Sequence, residues 1–140
     1  MYQVVLDTNV LLAAMRSRNG ASYRLLSRLG EDLWRPNITV AVALEYEAVL
    51  KRNCRAFGLT EGDIDDILDG LFSRAGLHRL YFLWRPVAAD PNDDFVMEAA
   101  IASHSDFLIT FNKRDFPESR RFGIERSTPG EFLILIEGRA

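Results

Sequence analysis

Four acids stand out in the chain because each emerges from apolar surroundings. Asp7 ends the apolar run of "YQVVLDTNVLL". Glu45, in "VALEYEAVL", has Ala41 and Val42 behind it and Ala48 and Val49 ahead at helical spacing, which puts it on an apolar stripe. Asp93, in "DPNDDFVMEAAIAS", is followed at helical intervals by Val96, Met97 and Ala100, so it lies over the buried face of a helix. Asp115 follows another apolar run in "FLITFNKRDF". Like charges brought together raise one another's pKa and cost stability unless a cation sits between them. A ligand set made of carboxylates suits a hard ion, Mg2+ or Mn2+, and no Cys or His cluster competes.

The neighbouring polar residues read differently. Glu47 has Lys51 four residues on and is its solvated partner. Asp90 precedes a proline in a loop, and Asp94 shares its face with Met97, Glu98 and Ile101, so both rank below Asp93. Asp is favoured in any first helical turn by the dipole, which is the ordinary explanation for a cluster of this kind. His78, His104, Cys54, Trp34 and Trp84 read as structural residues.

The elements that must position these acids alternate in type. "YQVVL" predicts a short strand, "NVLLAAM" a helix, and "ASYRLLSRLGEDL" a second with Leu25, Leu26 and Leu29 on one face. Thr39 caps a helix over "VAVALEYEAVLKR". Thr60 caps another over "EGDIDDILDGLFSRAG", with Asp63 three residues on and Gly76 as its stop. "HRLYFLW" predicts a strand ended by Pro86, a helix follows from about 93 to 104, "FLIT" is a strand, and Pro129 opens a last helix. Strands separated by helices give an α/β fold, a parallel sheet with helices on both faces. Ligands of such sheets sit outside the carboxyl ends of the strands, where Asp7, Asn112 and Asp115 would stand.

The remaining bounds are broad. The 140 residues, 48% hydrophobic and 26% charged, suffice for one sizeable core, so the expectation is a single domain over 1–140. No run approaches the ~18 apolar residues of a membrane span, and a lone cysteine fits a reducing compartment, giving a cytoplasmic expectation. Net charge is −3, yet of the 17 basic residues only Lys51 and Lys113 are lysine and the rest are arginine, the better fork for phosphate. Arg16, Arg18, Arg24 and Arg28 are expected to flank the acidic edge as contacts for phosphate groups. A solvated helical face or a partner surface is the competing reading of the same arginines.

Read in order, "VVLDTNVLL", "ALEYEAVL", "DPNDDFVMEAAIASHSDFLITFNKRDF" and "TPGEFL" resemble the PIN-domain ribonucleases. The likeness is to the VapC-like branch, toxins of toxin–antitoxin pairs, and it spans nearly the whole chain. It implies a three-layer α/β/α sandwich on a central parallel sheet and cleavage of single-stranded RNA with Mg2+ or Mn2+ held by three or four acids. Asp7 matches the first acid, Glu45 the helical glutamate and Asp93 the acid opening the later helix. The fourth position departs from the commonest pattern, because many relatives carry T-x-D where this chain has Asn112. The T-x-N-x-x-D-F variant matches Asp115 instead, with Asn112 orienting water or metal and Thr110 in support. Thr8 and Asn9 are expected to hydrogen-bond the carboxylates. The resemblance also implies a homodimer and a cognate antitoxin with a segment that fills the acidic groove.

Two other functions fit parts of this pattern. A receiver domain or aspartyl phosphatase also uses an acid pocket, but the receiver wants paired acids after its first strand and a lysine after its last. The phosphatase wants a second acid two residues after its nucleophile, where this chain has Asn9. A non-catalytic RNA-binding or interaction module on the same fold would have no need of all four acids.

Overall fold

The computed structural model describes residues 1–80, 88 and 93–138. Five parallel strands, β1 (Tyr2–Leu6), β2 (Trp34–Ile38), β3 (Gly76–Leu77), β4 (Phe107–Ile109) and β5 (Glu125–Ser127), form one sheet in the order β3-β2-β1-β4-β5. Between them run α1 (Thr8–Arg16), α2 (Ala21–Ser27), α3 (Val40–Asn53), α4 (Glu61–Phe72) and α5 (Asp94–Ala102), and α6 (Pro129–Glu137) follows β5. The architecture is the three-layer α/β/α sandwich. Helices α1, α2 and α6 pack together, while α5 crosses β1, β2 and β4.

The strand order carries the functional geometry. From β1 the chain steps outward through β2 to β3, then returns past β1 to β4 and β5. The sheet therefore reverses its winding between β1 and β4, and the crevice outside the carboxyl ends of those two strands is where such sheets bind ligands. The Asp7 N–H donates to the Ile109 carbonyl at 2.9 Å, tying the two strand ends together at that crevice.

Local rules account for most boundaries. Thr39 accepts from the Val42 N–H as predicted, and Thr60 with Asp63 forms a complete capping box. Thr128 and Glu131 form another, with Pro129 in the first turn of α6. The core joins Val4, Val5 and Leu6 of β1 to Val42, Tyr46 and Leu50 of α3, to Met97 and Ala100 of α5, and to Phe132 and Ile136 of α6.

Several expectations change. The second helix is shorter than its pattern, ending at Ser27. Gly76 is not the stop of α4, which ends at Phe72 with Ser73 at its C-cap. It opens β3 opposite Asn37, where a Cβ would lie 2.5 Å from the Asn37 Oδ1. The strand predicted over "HRLYFLW" is displaced to Gly76–Leu77; His78 to Leu80 carry no strand, and residues 81–84 and Pro86 lie outside the described residues, as do Trp84 and Asp90. Strands β2 and β5 went unpredicted. The first contains Pro36, tolerated because, among the described residues, β3 pairs only with Asn37 and Ile38 and leaves β2 without an outer neighbour at that level. His78, Cys54 and Trp34 are structural: His78 bonds Asn37 at 2.8 Å, and the other two are buried.

Candidate active site

β1 is apolar because it is the central strand, and its three last residues are buried. That burial delivers Asp7, itself only 6% exposed, to the crevice. Asp7 occupies the N-cap of α1, yet its side chain does not cap that helix. It accepts instead from the Thr110 hydroxyl at 2.8 Å, just beyond β4. The same Thr110 oxygen accepts from the Asn112 backbone N–H at 3.0 Å, so the hydroxyl fixes both the acid and the loop entering Asn112. Burial pushes the Asp7 carboxyl above the ordinary aspartate range. The Thr110 hydroxyl and the Thr8 backbone oppose that rise, and the charges of Asp115 and Glu45 add to it.

The other acids arrive on three different elements. Glu45 lies one and a half turns into α3, half-buried beside the fully buried stripe Val42, Tyr46 and Leu50. Asp93 is the N-cap of α5, and Asp115 closes a 3-10 turn, Lys113–Asp115. Asp7, Glu45, Asp93 and Asp115 line one cavity of about 230 Å³ together with Thr8, Asn9, Leu12, Val49, Val96 and Asn112. Asp94 turns elsewhere: it is buried, and its Oδ1 accepts from the Ala88 backbone at 3.0 Å. Among the described residues no hydrogen bond joins the Asn9 side chain to the carboxylates, and its buried Oδ1, an acceptor, meets no donor.

Among the described residues, no three His, Cys, Asp or Glu side chains are close enough to clasp an ion as they stand. The donor chemistry nonetheless fits a hard divalent cation. Four carboxylates line one small cavity, the wall residue Asn9 has a buried Oδ1 with no partner among the described residues, and two of the acids already raise the pKa of a third.

The arginines are placed otherwise than expected. α1 begins at the crevice and runs away from it for nine residues, roughly 13 Å, so Arg16 ends at the opposite edge of the sheet. α6 likewise starts beyond β5 and ends there with Glu137. Arg24 and Arg28 both pair with Glu137 at 3.2 Å, and Arg28 also pairs with Glu31. Arg18 lines a separate groove with Met15, Tyr23, Phe57 and Ile67. None of the four lines the acidic cavity. The pairing of Glu47 with Lys51, 3.2 Å, is as read from the sequence.

One residue escaped the sequence reading. Tyr46 is buried, and its hydroxyl donates to the carbonyl of Leu6, the residue before Asp7. Burial and then the Asp7 charge hold its phenol well above the ordinary tyrosine range, which places it within electrostatic reach of that acid. The available signal was its position one turn after Val42: a tyrosine on a buried stripe must find a partner for its hydroxyl.

The family description PIN domain matches residues 3–114, and so takes in β1 to β4 and three of the four acids. The chain belongs to the PIN domain family. No curated protein matches it significantly. Among solved structures, a chain of the VapBC2 complex of Rickettsia felis, bound to a DNA fragment from its promoter, is similar with a TM-score of 0.59. That match is 16% identical and covers 90% of this PIN domain chain and 98% of the other, a likeness of fold.

Proposed function

We propose that this PIN domain is a metal-dependent endoribonuclease that cuts single-stranded RNA, and that it is the toxin of a toxin–antitoxin pair. The observation that carries the reading is the convergence of Asp7, Glu45, Asp93 and Asp115 from four separate elements on one cavity at the point where the sheet reverses its winding. Nothing in the packing of a core requires four carboxylates there, and their mutual repulsion works against it.

A phosphodiester is itself anionic, so this cavity repels its substrate unless cations intervene. Mg2+ or Mn2+ bound there supplies a water of lowered pKa and offsets charge on the scissile phosphate. The chain's own part is to hold ligands and orient them. Asp7, Glu45, Asp93 and Asp115 are the ligand set, Thr110 fixes the rotamer of Asp7, and Asn9 and Asn112 present amide groups to water or phosphate at the cavity wall. The similarity to a VapBC complex supports a cognate antitoxin as partner, and we extend the reading to a homodimer acting in the cytoplasm.

The test is cleavage of a labelled single-stranded RNA by the purified protein, with Mg2+, with Mn2+ and with excess EDTA. The reading requires cutting that depends on metal and disappears in Asp7→Asn. Metal-independent cutting, or none under any condition, overturns it.

A further inference from the structure

The end of β1 has a donor that no strand provides. The Asp7 N–H points to Ile109 on β4, and because the N–H and C=O of one trans peptide point opposite ways, the Leu6 carbonyl of the same peptide faces β2. β2 has by then ended at Ile38, and the chain turns through Thr39 into α3. The hydroxyl that meets the Leu6 carbonyl comes instead from Tyr46, nearly two turns into that helix.

Both ends of this bond adjoin an acid. Leu6 precedes Asp7, and Tyr46 follows Glu45. We propose that Tyr46 is a positioning residue: its hydrogen bond to Leu6 sets the separation of Asp7 and Glu45 across the gap between β1 and α3. The inference rests on the proposal that these acids bind a divalent cation.

Three features support a role beyond filling space. The bond links two elements where β-ladder pairing between them is no longer available. It fixes the backbone of β1 one residue before Asp7 to the helix residue next to Glu45. Val42 and Leu50, on the same buried stripe, fill the core without any such link to β1.

The experiment compares wild type, Tyr46→Phe and Leu50→Val. Tyr46→Phe keeps the ring and deletes the hydroxyl, while Leu50→Val loosens the same stripe without touching the bond. Mn2+ affinity of the RNA-free protein is read by electron paramagnetic resonance, thermal melts are taken in EDTA, and kcat and KM are measured on single-stranded RNA at saturating Mn2+. We expect Tyr46→Phe to bind Mn2+ about tenfold more weakly or worse, as disturbed supports of a metal site do. Its kcat should fall with KM unchanged, and Leu50→Val should lower the melting temperature with wild-type Mn2+ affinity. Wild-type affinity in Tyr46→Phe, or equal losses in both variants, overturns the positioning role alone. A wild type that binds no Mn2+ overturns the metal-site reading and this inference with it.

Discussion

Thr110 donates its hydroxyl to Asp7 across 2.8 Å and accepts the Asn112 N–H at 3.0 Å, so one side chain beyond β4 disciplines groups at two strand ends. Thr110→Val keeps the shape and removes both bonds. The expected loss in RNA cleavage is ~10- to 100-fold, the usual effect of deleting a partner that orients a metal ligand, with Thr110→Ser recovering most of it. Equal activity in the Val and Ser variants contradicts the role given to the hydroxyl.

The raised pKa of Asp7 makes a prediction about pH. In the metal-free protein the folded state binds this proton more tightly than the unfolded chain. The associated stability is therefore full below the ordinary aspartate pKa of 3.8 and is lost as pH rises through the elevated folded value. At neutral pH the buried charge is a cost, so Asp7→Asn in EDTA should be at least as stable as wild type and should lack this slope. Wild type should regain about 2.7 kcal/mol at a hundredfold excess of Mn2+ over its Kd, and the variant much less. Melts over a pH series with and without Mn2+ read both halves.

Glu131 behaves in the opposite sense. The ammonium of Lys113, 2.7 Å away, and the Thr128 backbone N–H lower its pKa to about 2. A depressed carboxyl contributes stability above its ordinary value that disappears as pH falls towards 2. Because Glu131 is exposed, solvent and salt screen the effect, and the slope should be small. Acid titration of wild type against Glu131→Gln at low and high salt measures it: the variant should titrate more flatly, and the difference should shrink at high salt.

Ion pairs favour the competing reading of two of the arginines. Arg24 and Arg28 are held by Glu137 at the edge away from the acids. Arg24→Ala and Arg28→Ala should leave the salt dependence of RNA affinity unchanged, where a true phosphate contact would lower the log–log slope by about 0.7 each. Their exposed pairs should cost ~1 kcal/mol of stability at most. A reduced slope in either variant would return that arginine to the interface.

What could be read in the sequence followed from how far each signal reaches along the chain. Thr39, Thr60 and Asp63 act within one helical turn, and their caps form as written. Asp7 and Glu45 were legible because an acid in an apolar run breaks a local pattern. β2 and β5 were not, since "WRPNI" and "ERS" become strands only through neighbours far away in sequence, and Pro36 argues locally against one. The placement of the arginines was hidden for the same reason: their sequence proximity to Asp7 says nothing of where α1 and α2 carry them. Tyr46 depends on a contact 40 residues away, and Thr110, whose bond to Asp7 spans 103 residues, was named only through the resemblance.

Gly76 gives the last prediction, because its need for glycine is steric rather than conformational. The Asn37 side chain bonds the Val4 carbonyl and the Gln3 amide oxygen, and its Oδ1 meets the His78 ring. That oxygen lies 2.5 Å from where a Cβ on residue 76 would stand, and the His78 Nε2 lies 3.0 Å away. An alanine must displace a side chain fixed from three directions, or separate β3 from β2. Overpacking of this kind typically costs ~1–3 kcal/mol. Gly76→Ala should lower stability by that amount in urea unfolding, while Gly70→Ala in α4, where a Cβ meets nothing within 4 Å, should be neutral or stabilising. Since β3 is remote from the acidic cavity, Mn2+ affinity should survive the substitution in the fraction that remains folded. Unchanged stability in Gly76→Ala would show that Asn37 moves freely and that the polar cluster under β3 does not hold the edge strand.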